Sequence, residues 1–271
     1  MEANYGEDQP YVVLDGTGTE QERADAWAVG FGLQAVDGLT PSSTVYALAT
    51  EHISGRTSYA EVEQRLRRHY ADSDPDDRQR EADFSSARIA RIIQTPGFGL
   101  APAALKGIHR EVFTDVYPDE WVGRWRTVAI GKPEPVLGGW TVEYAAPFLI
   151  EEMLADAFAK EEAIDWLPAE PRGAIDRVLR FISQIWQIHP FREGNTRTSA
   201  TYAVLYMRHL GVDITNDPFA KRAEFFRDAL VLDNAPHRMR DREPLLRFGA
   251  ALAGDDVDLS GLRGTDPATR G

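Results

Sequence analysis

Between positions 189 and 197 the chain reads His-Pro-Phe-Arg-Glu-Gly-Asn-Thr-Arg, which puts an imidazole, a carboxylate and a guanidinium within one short segment. An imidazole with an ordinary pKa of ~6.5 is neutral at pH 7, so His189 is available to take a proton from an attacking hydroxyl. Glu193 offers the hard oxygen that a phosphate-bound Mg²⁺ prefers. Arg197 can fork two hydrogen bonds onto a phosphate. The loop is rich in Gly and Asn and opens a helix, where backbone N–H groups and the positive end of the helix dipole together bind anions. Phe191 is the apolar side chain that anchors such a loop. Alone, a histidine at a helix end or a Gly-Asn turn is usually structural. In combination they fit phosphoryl or nucleotidyl transfer, where positioning and charge stabilisation do most of the catalytic work.

Two apolar helices must hold this segment. Ile175, Val178, Leu179, Ile182, Ile185 and Trp186 recur at the spacing of a buried helical face, and Pro190 predicts its end at His189. A second helix is expected from about Thr196, with Ala200, Ala203, Val204, Met207 and Leu210 inward, until Gly211. Upstream, Thr19 with Glu22 and Ser58 with Glu61 read as capping boxes, and Pro41 precedes a short helix between them. Trp121–Ile130 is rich in β-branched and aromatic residues and runs into the Gly- and Pro-rich stretch 131–139, which predicts a β-hairpin. The remainder reads as helix, so the expected fold class is all-α with one small hairpin flap.

Polar, proline-containing stretches divide the chain into a flexible leader (1–18), a small helical module (19–75), a larger helical domain (76–253) and a flexible tail (254–271). Hydrophobic residues make up 43% and charged residues 27%, the balance of a globular protein. A net charge of −13 argues against a broad grip on nucleic acid, which needs clustered Lys and Arg. The absence of cysteine excludes thiolate chemistry and disulfides. No apolar run approaches the ~20 residues of a membrane span, and the N-terminus carries no secretory pattern, so a cytoplasmic location is expected.

The segment closely resembles the signature of the Fic family, His-x-Phe-x-Asp/Glu-Gly-Asn-Gly-Arg with a second Arg shortly after. Leu105, Ile108-His-Arg110, Phe113, Asp115-Val-Tyr-Pro118 and Gly123-Arg-Trp-Arg-Thr-Val128 resemble the helix and flap that accompany it. The resemblance implies a Fic-type helical core acting as a protein adenylyltransferase, which moves AMP from ATP to a target protein's hydroxyl with Mg²⁺. It gives His189 the role of base, Glu193 that of metal ligand, Gly194 to Thr196 the anion hole, and Arg197 the phosphate grip. Thr196 stands where the family has Gly, and Ala200 where it has the second Arg. These departures leave open other phosphate chemistry, such as AMP removal, or a nucleotide-binding scaffold without turnover. Leu33-Gln-Ala-Val-Asp-Gly38 and Ile53–Val62 resemble the small helical antitoxins of the VbhA type, which makes Asp37 and Gly38 regulatory candidates. Their usual clamp joins a Glu to the second Arg. Asp37 is shorter and Ala200 offers no guanidinium, so little inhibition is expected, and the module should act mainly as a cover through Trp27 and Phe31.

Overall fold

The computed structural model describes residues 18–71, 77–164 and 170–262. Most of the leader, the linker residues 72–76 and the last part of the tail lie outside the described residues. Ten α-helices are described: α1 Glu20–Gly32, α2 Ser43–Ile53, α3 Tyr59–Ala71, α4 Asp77–Gln94, α5 Pro102–Phe113, α6 Ile150–Glu162, α7 Pro171–Ile188, α8 Asn195–His209, α9 Asp217–Asp233 and α10 Glu243–Leu252. No described residue lies in a strand. No described helix is long and apolar enough to cross a membrane.

Local chemistry explains the boundaries. Thr19 and Glu22 form a complete capping box at α1, and Ser58 and Glu61 bond reciprocally at the start of α3. Prolines in the first turn of α5, α7, α9 and α10 remove only donors that would lack helical partners there. After α1 the chain tightens into a 3-10 turn, Leu33–Asp37, which Gly38 closes in the left-handed conformation at φ 64°.

The first three helices join the same apolar core as the rest. α1 packs on α4 and on α9, and backbone nearly touches backbone there. A Cβ on Gly30 would lie 2.4 Å from the Ser86 carbonyl oxygen of α4, and one on Gly32 would lie 2.2 Å from the Ala220 carbonyl oxygen of α9. Trp27 is buried and donates its indole N–H to His52, while Phe31 packs on Tyr46. Past α10, Leu259 and Leu262 are buried in the same core.

The expected hairpin is a looped flap instead of paired strands. Residues 131–141 do double back, with the Glu134 N–H on the Trp140 carbonyl and the Lys132 N–H on the Thr141 hydroxyl. A ladder cannot extend, because Pro133 and Pro135 bring no donor. The Arg126 guanidinium also takes the carbonyls of Val128 and Ala145.

Candidate active site

α7 and α8 pack together and present the loop 189–194 between them. α8 is buried on every side from Asn195 to Met207, polar residues included, because α4, α5, α7 and the 3-10 turn surround it. His189 closes α7 in the left-handed conformation at φ 51°, a costly position for a non-glycine residue. The Asn195 side chain closes the loop in both directions, accepting from the Phe191 N–H at 2.9 Å and donating to the Phe191 carbonyl at 2.8 Å. Gly194 is required where it stands. Its φ is 74°, and a Cβ would lie 2.4 Å from the Phe113 ring.

The loop is held from behind. His109 of α5 accepts the Gly123 N–H on Nδ1 at 2.9 Å, which leaves Nε2–H to donate to the Glu193 carbonyl at 3.1 Å. Its ring stacks on Phe191 at 3.9 Å, and burial holds its pKa down to about 4. Arg126 is also buried and donates Nε–H to the His189 carbonyl at 2.7 Å, while its own N–H reaches the Pro190 carbonyl at 2.8 Å. Orphan carbonyls at the end of α7 therefore terminate on a guanidinium.

His189 Nδ1–H donates to the Trp186 carbonyl at 3.2 Å, which leaves Nε2 as the accepting nitrogen. The ring lies against Tyr144, with centroids 4.1 Å apart. Its pKa is pushed down to about 3, first by desolvation and then by the charges of Arg126, Lys132 and Arg227, so it is neutral at pH 7. The Thr196 hydroxyl accepts from the Trp186 indole at 3.0 Å, so this departure from Gly turns its side chain toward α7. Gly194 provides no side-chain cap to α8. At the rim, desolvation and the Asp37 carboxylate push the Glu193 carboxyl above its usual value.

Arg197 and Phe191 sit beneath the loop. Arg197 is 1% exposed and lies over the Phe113 ring. It donates to Glu81 at 2.5 Å, the Tyr117 hydroxyl at 2.7 Å and Gln34 at 3.1 Å. Its Nε stands 3.0 Å from Asp37 Oδ2 as an ion pair without hydrogen-bond alignment. Ala200 offers Asp37 no guanidinium, and the carboxylate meets that of Arg197 instead. The 3-10 turn lies against α8 and brings the carboxylate to position 197, one turn before the fully buried Ala200. Gly38 contributes its left-handed turn, and Arg78 holds the carbonyls of both Asp37 and Gly38.

A cavity of about 230 Å³ opens beside His189, below the ~300–1,000 Å³ of ordinary ligand sites. Asp37, Glu193, Gly194, Asn195 and Thr196 line it, whereas Phe191 and Arg197 do not. It is also lined by Lys132 and Glu134 of the flap, Tyr144, Arg192 and Arg227 of α9. Sequence reasoning assigned none of these last five a role. Arg126 and His109 lay within the segments that carry the resemblance, but a helical or strand period cannot reveal an interior hydrogen bond. Arg227 carries no local signal, since α9 is buried on every side from Phe225 to Asp233 and a linear pattern cannot tell a buried charge from an exposed one.

Residues 99–207 match the Fic/DOC family. The probable protein adenylyltransferase y4lH of Sinorhizobium fredii is 32% identical over 131 residues, 48% of this chain and 62% of that one. The protein adenylyltransferase VbhT of Bartonella schoenbuchensis is 32% identical over 114 residues, 42% of this chain and 22% of that one. The protein adenylyltransferase fic-1 of Caenorhabditis briggsae is 30% identical over 148 residues, 53% of this chain and 25% of that one. The chain thus spans less than two thirds of the length of these relatives. A crystal structure of BepC from Bartonella tribocorum with bound AMPPNP superposes at a TM-score of 0.49 and 16% identity, over 64% of this chain and 84% of that one. The match begins just before α5, ends two residues before α8 does and encloses the whole loop from His189 to Arg197.

Proposed function

We propose that the chain is a protein adenylyltransferase that moves AMP from ATP to a Ser, Thr or Tyr hydroxyl of a target protein. One observation carries the reading. His189 lines the same cavity as the uncapped N-terminus of α8, so a proton acceptor and an anion seat share one space. In the reaction the target oxygen bonds to the α-phosphorus, the bond from that phosphorus to the pyrophosphate oxygen breaks, and the hydroxyl proton passes to His189. A pKa near 3 makes the ring a weak base as it stands; phosphates arriving beside it stabilise the imidazolium and raise that value. Phe191 and Asn195 keep the loop in shape, while Gly194, Asn195 and Thr196 border the phosphate.

Among the described residues no cluster of three or more His, Cys, Asp and Glu could cage a metal. An Mg²⁺ delivered with the phosphates needs only one or two protein carboxylates. Glu193 would hold it, and the ion would supply neutralisation of phosphate charge.

Asp37 and its turn restrain the site. The carboxylate occupies one edge of the Arg197 guanidinium and adds a negative charge to a cavity that must take a polyanion. This supports a toxin-like enzyme held back by its own N-terminal helices. Incubation with labelled ATP, Mg²⁺ and cell lysate is expected to label protein with AMP, and His189→Ala is expected to reduce labelling by a hundredfold or more, in line with the ~10²–10⁴ that general base catalysis contributes. Equal labelling by the two proteins, or an adduct other than AMP, would remove the proposal.

A further inference from the structure

The family pattern has a second Arg where this chain has Ala200, whose position is fully buried in the core. A triphosphate still needs positive charge. Around the cavity the carboxylates of Asp37, Glu134 and Glu193 are matched by Lys132, Arg192 and Arg227. Arg192 lies at the exposed rim over the Trp121 ring. Arg227 differs, because it comes from α9 and its side chain is only 6% exposed. Lys132 and Arg227 both lie close enough to His189 for their charges to lower its pKa.

Arg227 is not idle in this conformation. Its guanidinium meets the Glu134 carboxylate of the flap in a very close ion pair and stands 3.2 Å from Asp228 Oδ1. Glu134 is 1% exposed. The flap fixes it there, since its N–H reaches the Trp140 carbonyl and its own carbonyl accepts from Leu137 and Gly139. Burial nonetheless raises the Glu134 carboxyl's pKa, the Arg227 charge opposing it, so its ionised form is held at a cost. An oxyanion thus already sits on the cavity's inner cation, carried by the segment that also supplies Lys132.

The geometry points to Arg227, with Lys132, as the seat for the nucleotide's polyphosphate, a cationic seat moved from position 200 to α9, and to the Glu134 carboxylate as the internal anion that vacates it when nucleotide enters. The inference rests on the nucleotide reading above. Exchange of one oxyanion for another keeps Arg227 paired throughout. It also explains why a cavity smaller than ordinary ligand sites accompanies an adenylyltransferase signature: the flap is drawn onto the cation that the phosphates would take.

The test is a binding titration of the full chain with AMPPNP and Mg²⁺, and separately with adenosine, which has no phosphate. Glu134→Gln keeps the shape and leaves Asp228 beside Arg227; it is expected to tighten AMPPNP about fivefold or more. Adding Arg227→Gln gives a neutral, isosteric pair and is expected to weaken AMPPNP tenfold or more relative to Glu134→Gln, with adenosine affinity changed less than twofold. Arg227→Lys, which keeps the charge, should recover most of that loss. A merely structural ion pair would shift the melting temperature and both ligands alike. If Glu134→Gln loosens AMPPNP, or if the double variant binds it as tightly as Glu134→Gln, the inference is overturned while nucleotide binding stands. If neither the wild type nor Glu134→Gln binds AMPPNP, the nucleotide reading falls as well.

Discussion

Asp37 reaches the one motif guanidinium that the cavity does not see. The contact is misaligned and its carboxylate is 28% exposed, whereas Glu81, Tyr117 and Gln34 hold Arg197 with well-directed hydrogen bonds. A charge-assisted contact is worth ~1.5–3 kcal/mol when aligned, and partial exposure and poor alignment reduce it to about 1.4 kcal/mol, a factor of ten. Asp37→Ala is therefore expected to raise auto-modification about tenfold, measured as AMP incorporated per chain. Unchanged or lower incorporation would show that Asp37 serves the turn alone.

At the scale of elements, the motif loop depends on α5 as much as on the two helices it joins. His109 ties Gly123 to the Glu193 carbonyl and lies flat on Phe191, and it does so as a neutral ring. Its pKa falls from 6.5 unfolded to about 4 folded. The unfolded chain therefore binds more protons between these values, so this stabilisation is complete above pH ~6.5 and is lost as pH falls toward 4. At ~1.4 kcal/mol per pKa unit the loss is on the order of 3 kcal/mol. Urea midpoints at pH 7.5 and 4.5 should drop less for His109→Gln than for the wild type. Parallel drops would assign the acid sensitivity to other groups.

Across the whole molecule, the segments around the cavity come from the N-terminal turn, the flap, the α7–α8 loop and α9. The first helix is wedged between α4 and α9 with no room for a methyl group at Gly32. The facing atom is backbone, which cannot swing aside as a side chain would. Gly32→Ala is expected to cost more than the ~1–3 kcal/mol usual for overpacking, and denaturant midpoints would record it. A midpoint equal to that of the wild type would show that α1 docks loosely. Because the same helix leads into the Leu33–Asp37 turn, its docking also sets where Asp37 and Gln34 meet Arg197.

By itself the sequence determined the helices, their capping boxes and the loop from His189 to Arg197. Those features depend on hydrogen bonds and apolar spacing within a few residues, which a linear pattern records directly. It also carried Gly38, since a left-handed turn after a 3-10 segment needs that residue type. Only the tertiary structure decided where the charges go. Arg197 is bonded to Glu81, 116 residues away, and Arg227 to Glu134, 93 residues away. The flap likewise failed to pair as strands because Arg126, drawn toward the end of α7, took carbonyls that a ladder would have used. A buried charge takes whichever partner the packing brings within reach, because leaving it unpaired costs more than any local preference can offset.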